Sequence, residues 1–235
     1  MDKPSPFSVV IAIFPGVTHL DFTGPHQFFA RIPNVDLKVA SLGGQDIESD
    51  NLTFSKLHCL ESIRHCDLLC VPGGYGTVDM VQVPEFIQHV RRLGQNARYV
   101  TSVCTGSIIL AAAGLLKDKQ AACHWAWRDL LAQFPDVRVK NERVVRDGNV
   151  FTGGGVTAGI DMALTVMAEI LGPEQAQAIQ LGLEYAPQPP FQSGRPDLAP
   201  PEIYAMVKTR LHTALSSQRE ALSAFVAAND SISGL

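Results

Sequence analysis

The residue best suited to covalent chemistry is Cys104, in the stretch VTSVCTGSIILAAAGLL. A β-branched run ends there and an alanine- and leucine-rich run begins, the pattern of a strand passing into a helix. A cysteine at that junction sits at the positive end of the helix dipole. Free cysteine titrates at about 8.5, and a helix N-terminus lowers that value and makes a nucleophilic thiolate available. Thr105 and Gly106 follow directly, so the first free N–H groups of the helix point toward the sulfur. So sharp a turn also crowds the cysteine into an unfavourable backbone conformation, at a cost of about 1–3 kcal/mol. The competing reading is a small buried hydrophobe, and the strand–Cys–Thr–Gly–helix setting favours the nucleophile.

Other residues fall into place around that cysteine. Gly73 and Gly74, in CVPGGYG, end a neighbouring apolar run. Adjacent glycines let backbone N–H groups approach a reacting atom unobstructed, as an anion-stabilising pocket needs. The run TGGGVTAGID fits neither the dinucleotide fingerprint nor the phosphate loop. It is better read as bringing the backbone at Gly155 close to the cysteine pocket, with Val156 opening the next helix. Asp21, in HLDFTGPH, reads from its local sequence as an ordinary helix-capping or surface carboxylate. His19 with Asp21, and His65 with Asp67, lack the paired ligand spacings of a zinc site. The set His58, Cys59, His65, Cys66 and Cys70 is no better, because Cys70 lies within a core strand. No metal is expected. His124, in CHWAW, reads as a packing or capping histidine more readily than as a base.

The elements that must hold these groups alternate between short β-branched runs and helical ones. Strands are expected over 7–14, 35–42, 67–71 and 99–103, with a hairpin arm over 52–60. A helix is expected after Gly24, with Pro25 in its first turn. Further helices are expected over 84–93, 105–116, 125–134, 156–171 and 173–185. Asp147–Gly148 between apolar runs signals a β-hairpin. This order predicts an α/β fold, a mostly parallel sheet with helices on both faces. Ligands in such a sheet bind beyond the carboxyl ends of the strands, where PGGYG, Cys104 and TGGGVTAG all fall.

Composition narrows the class further. The chain has 235 residues and a formal net charge of −4, which suits one large domain and gives no footprint for nucleic acid. The N-terminus has an apolar run of about eight residues, broken by Pro15 and Gly16, which is too short to span a bilayer. It lacks a basic segment and a small-residue cleavage site, so it reads as the buried first strand of a cytoplasmic protein. Five irregularly spaced cysteines argue for a reducing compartment rather than a disulfide framework. The domain is expected over 1–190. The segment 191–235 reads as a proline-rich strap and one amphipathic helix on the core or a dimer interface, with Ile203, Met206, Val207, Leu211, Leu215 and Leu222 on its apolar face.

The segments FPGVTHLDFTGPH, CVPGGYG, ARYVTSVCTGSIILAAAGLL, HWAWRDLL, ERVVRDGNVFTGGGVTAGIDMAL and LGLEYAPQPPF, in that order, resemble the ThiJ/PfpI superfamily and, within it, the isocyanide hydratases. The resemblance implies a flavodoxin-like three-layer sandwich, akin to the class I glutamine amidotransferases, and a homodimer. It also implies Cys104 as nucleophile, Asp21 as the nearby acid and base, and Thr105 as a polar pocket residue. Gly73, Gly74 and the backbone near Val156 would line the site. The implied reaction is hydration of a small-molecule isocyanide to an N-substituted formamide through a cysteine-bound thioimidate, with no cofactor, nucleic acid or membrane involved. Protease-like and deglycase-like branches are expected to carry a histidine after the cysteine or an early-strand glutamate, where this chain has Thr105 and Asp21. The late H-x-E pair of the glutamine amidotransferases is missing too, since alanine stands two residues after both His124 and His212. The alternative is a ligand- or redox-sensing module like the sensor domain of AraC-type regulators. The roughly 50 residues after Tyr185 are too few and too little basic for two helix-turn-helix units.

Overall fold

A computed structural model describes residues 5–233. The strands are β1 (Phe7–Ala12), β2 (Val35–Ser41), β3 (Ile47–Ser49), β4 (Leu52–Phe54), β5 (His58–Cys59), β6 (Leu68–Val71), β7 (Tyr99–Val103), β8 (Lys119–Ala122), β9 (Val137–Lys140), β10 (Val144–Asp147) and β11 (Val150–Gly153). The helices are α1 (His19–Phe29), α2 (Thr77–Val81), α3 (Pro84–Asn96), α4 (Gly106–Ala112), α5 (Arg128–Leu131), α6 (Ala158–Leu171), α7 (Pro173–Gly182), α8 (Pro201–Ala214) and α9 (Ser216–Ser233).

Seven strands form the main sheet in the order β10-β11-β7-β6-β1-β2-β5. All its pairings are parallel except β10 with β11, the hairpin that Asp147–Gly148 signals. The central strands β6 and β7 are buried along their whole length, as a sheet covered on both faces requires. From β1 the chain runs outward to β2 and then returns to the other side of β1 as β6. That reversal opens a crevice at the carboxyl ends of the strands. Register puts Val103 beside Gly153 and Ser102 beside Val71. The turns carrying Gly73, Cys104 and Gly154 therefore leave the sheet side by side.

Several elements depart from the sequence expectations. The first helix begins at His19 and runs through Pro25, so Asp21 stands in its first turn rather than in a loop. Proline inside a helix costs about 3 kcal/mol, but here α1 lies hard against α6. A Cβ on Gly24 would meet Ile160 at 3.1 Å, and one on Gly159 would meet Pro25 at the same distance. Tertiary packing overrides the local breaker. The arm expected over 52–60 is instead a separate hairpin, β3 with β4, and an edge strand β5. The helix expected over 125–134 is a 3-10 turn (Trp125–Trp127) followed by the short α5.

The C-terminal helix is two helices, with Leu215 at the break. Leu215, Leu222 and Val226 enter the core, whereas Ile203 and Met206 are exposed. The inward stripe of α8 runs instead through Tyr204, Val207 and Leu211, which are half-buried at helical spacing. Among the described residues, no helix is long and apolar enough to cross a membrane.

Candidate active site

Cys104 follows the last residue of β7 with φ of +57°, in the left-handed region that a side chain rarely adopts. Its N–H donates to the Gly153 carbonyl at 2.9 Å, and its carbonyl accepts from the Ser107 hydroxyl at 3.2 Å. The elbow is therefore strained, as expected, and fixed from both sides. Gly106 makes it possible: a Cβ there would stand 2.1 Å from the Val71 carbonyl oxygen, so only glycine lets α4 start this close to β6. Cys104 is 7% exposed.

Asp21 lies fully buried beside it. One carboxyl oxygen, Oδ2, accepts from the Gly73 N–H at 3.0 Å. The other, Oδ1, is buried with no well-aligned partner among the described residues. Burial pushes the Asp21 carboxyl up to about 7, while the Gly73 N–H and the neighbouring Cys104 thiol hold it lower than burial alone would. The local sequence reading of Asp21 as a capping or surface residue is thus overturned, because α1 turns this face toward the sheet ends.

The same geometry corrects the expectation of a resting thiolate. Burial, then the Asp21 charge, then Cys123 push the Cys104 thiol well above its ordinary range. The N–H and hydroxyl of Thr105, at the head of α4, offset only part of this. The pair rests as a thiol beside a carboxyl that is close to half-protonated at neutral pH. Both values rise because a neutral group costs far less to bury than an anion.

Gly73 and Gly74 do not offer the free N–H groups that an anion pocket needs. The Gly73 N–H is committed to Asp21, and the Gly74 N–H donates to the Thr105 hydroxyl at 2.9 Å. Thr105 Oγ1 also lies 2.7 Å from the Thr77 hydroxyl. Thr105 therefore ties the glycine turn to the start of α4. A Cβ on Gly73 would come within 2.5 Å of both the N and the Oγ1 of Thr105. The turn is pinned on its other side by Thr18 N–H to Gly73 O (2.9 Å) and Gly76 N–H to Gly16 O (3.1 Å).

Cys104 and Thr105 open onto a cavity of about 440 Å³. Val17, Trp125, Trp127, Val156 and Leu215 give it apolar walls, with Glu48, Asp50 and Tyr75 also on its lining. Val156 lies on this wall, in the turn two residues before α6 rather than opening that helix, and Gly74 reaches the wall. Gly73 and Asp21 stay behind it. Gly155 lines an adjoining cavity of about 260 Å³ that shares His124, Trp125 and Val156 with the first. Sequence reasoning missed the tryptophans, although HWAW is dense in aromatics for this chain. It also missed the contribution of α8, whose Val207 and Leu211 close one side. His124 proves to be a cap: its Nδ1 accepts from the Ala126 N–H at 3.3 Å. Burial, then Arg128, lowers its pKa to about 4, so it stays neutral at pH 7.

A strained cysteine at the carboxyl end of a central parallel strand, over a carboxylate from the first helix, is a site built on a doubly wound α/β sheet. The chain belongs to the DJ-1/PfpI family, whose model matches residues 7–169. Within that family it is 44% identical to the isonitrile hydratase of Pseudomonas putida, over 88% of this chain and 91% of the relative. A ThiJ/PfpI family protein from Pseudomonas syringae superposes with a TM-score of 0.87 at 34% identity, over 93% of this chain and 90% of that one. The HTH-type transcriptional regulator CdhR of Pseudomonas aeruginosa is 33% identical over 57% of this chain, a match that spans 40% of the regulator.

Proposed function

We propose that this protein is an isonitrile hydratase, converting R–N≡C and water to R–NH–CHO. The observation that carries the proposal is the buried Cys104–Asp21 pair behind an apolar cavity, and the extended similarity to the Pseudomonas putida enzyme supports it.

An isonitrile carbon has a lone pair and accepts a proton before it accepts a nucleophile. A carboxyl held at about 7 can donate that proton at neutral pH, as an ordinary aspartic acid cannot. Asp21 protonates the terminal carbon, and its carboxylate then takes the Cys104 proton as sulfur bonds to the same carbon. The product is the thioimidate R–N=CH–S–Cys, and Asp21 is again protonated. In the second half Asp21 protonates nitrogen and removes a proton from the attacking water. The resulting R–NH–CH(OH)–S–Cys loses sulfur as the thiol, with the hydroxyl proton returned through Asp21. Each hard step is divided in two, and no buried charge persists between steps. Thr105 serves as a positioning residue for the Gly73–Gly74 turn, which in turn orients Asp21.

The segment 191–235 works with the domain 1–190 as one catalytic unit, since Val207, Leu211 and Leu215 wall the cavity. We place the enzyme in the cytoplasm as a homodimer. Five free cysteines suit a reducing compartment, and exposed Leu181, Phe191 and Met206 suit self-association. The test is turnover of a simple alkyl isonitrile by the wild type, Cys104→Ala and Asp21→Ala, read as formamide. Intact mass of Asp21→Ala under substrate gives a second readout. Absent turnover by the wild type, or full activity in Cys104→Ala, refutes the reading.

A further inference from the structure

The cavity beside the reaction cavity differs from it in chemistry. It is lined by Arg128, Arg143, Arg195 and Glu142, with the backbone turn at 154–157. Two of its arginines are already neutralised. Arg143 is paired with Asp161, and Arg195 holds both oxygens of Asp197 at 2.9 and 3.1 Å. Among the described residues the Arg128 side chain has no hydrogen-bond or ion-pair partner, and its Nε is buried. The adjacent carboxylate, Asp129, is taken by Arg219. Arg195 and its partner Asp197 both stand near enough to weigh on the Arg128 charge, in opposite directions.

A guanidinium Nε buried without an acceptor is costly, and native proteins seldom leave one without a reason. The two cavities share His124, Trp125 and Val156, so a molecule anchored at Cys104 can extend across that wall. We propose that this second cavity binds a carboxylate at the far end of the substrate's R group, with Arg128 as its partner, so that the preferred substrates are isonitriles bearing a carboxylate. The inference rests on the hydratase reading. A monoanion fits better than a phosphate, because the cavity's one guanidinium without a partner among the described residues shares that space with Glu142 and stands near Asp197. The planar fork of arginine also matches the two oxygens of a carboxylate.

The test compares three isonitriles on the wild type and Arg128→Gln: an ω-carboxyalkyl isonitrile, its methyl ester and cyclohexyl isonitrile. The expected result is a KM for the acid about 10-fold below that of the ester, a difference of about 1.4 kcal/mol. In Arg128→Gln that ratio should fall to about one. Equal KM values for acid and ester in the wild type, or a ratio that Arg128→Gln leaves intact, overturn the inference while the hydratase reading stands. If none of the three is turned over, the hydratase reading fails. Titration calorimetry with the corresponding ω-carboxyalkyl formamide and its methyl ester then decides the cavity's preference without turnover. Tighter binding of the acid, lost in Arg128→Gln, supports the carboxylate site, and equal binding of the two overturns it.

Discussion

Asp21→Asn separates the chemistry of this site from its stability. Asparagine keeps the shape of the side chain and an oxygen for the Gly73 N–H, but it cannot exchange a proton. In the unfolded chain Asp21 loses its proton near its ordinary value of 3.8, whereas the folded site holds the proton until about 7. Below about pH 3 both states are protonated, and the group contributes its full share to stability. As pH rises from about 4 to 7 the unfolded chain gains by ionising and the folded one does not, so wild-type stability is lost across that window. At about 1.4 kcal/mol per pH unit the loss reaches roughly 4 kcal/mol by pH 8. The substituted asparagine titrates in neither state and escapes it. Its amide also puts N–H donors where Oδ1 stands, with no well-aligned partner among the described residues, which costs about 1–3 kcal/mol at every pH. The diagnostic quantity is therefore the slope, not the offset. In urea unfolding at pH 4 to 8, the stability of Asp21→Asn minus that of the wild type should climb by about 4 kcal/mol while formamide production falls by about 10²–10⁴-fold. Parallel stability curves for the two proteins would show that Asp21 is not held protonated by burial, and the proton-first mechanism would go with it.

Four further outcomes follow from the geometry. Cys104→Ala should reduce formamide formation to background, while circular dichroism stays native. Thr105→Val strands the Gly74 N–H and the Thr77 hydroxyl, so chemical denaturation should show a loss of about 1–3 kcal/mol together with lower kcat. Gly73→Ala forces a methyl against Thr105. A destabilisation of at least 1–3 kcal/mol by overpacking, with loss of turnover, is expected in thermal melts and activity assays. Trp125→Ala removes the wall that Trp125 forms between the reaction cavity and its neighbours, so kcat/KM should shift toward bulkier isonitriles relative to small ones.

The amino-acid sequence by itself determined the alternation of strands and helices, the parallel sheet, and Cys104 at an elbow. These rest on local rules: side-chain periodicity, the break between β-branched and alanine-rich runs, and glycines where backbones converge. The segments flanking Asp21 and Cys104 also sufficed to suggest the family. Tertiary structure alone decided what those residues are physically. Asp21 became a buried acid because Gly24 and Gly159 let α1 and α6 close together, an effect of contacts far apart in sequence. Cys104 became a resting thiol because burial outweighs the helix N-terminus, and burial is not written in the residues beside it. The N–H groups of Gly73 and Gly74 went to Asp21 and Thr105 rather than to substrate. The wall from α8, and the place of Arg128 in a second cavity beyond Trp125, exist only because the chain folds back across the strand ends. Periodicity fixes which way a residue faces on its own element, but not what that face meets.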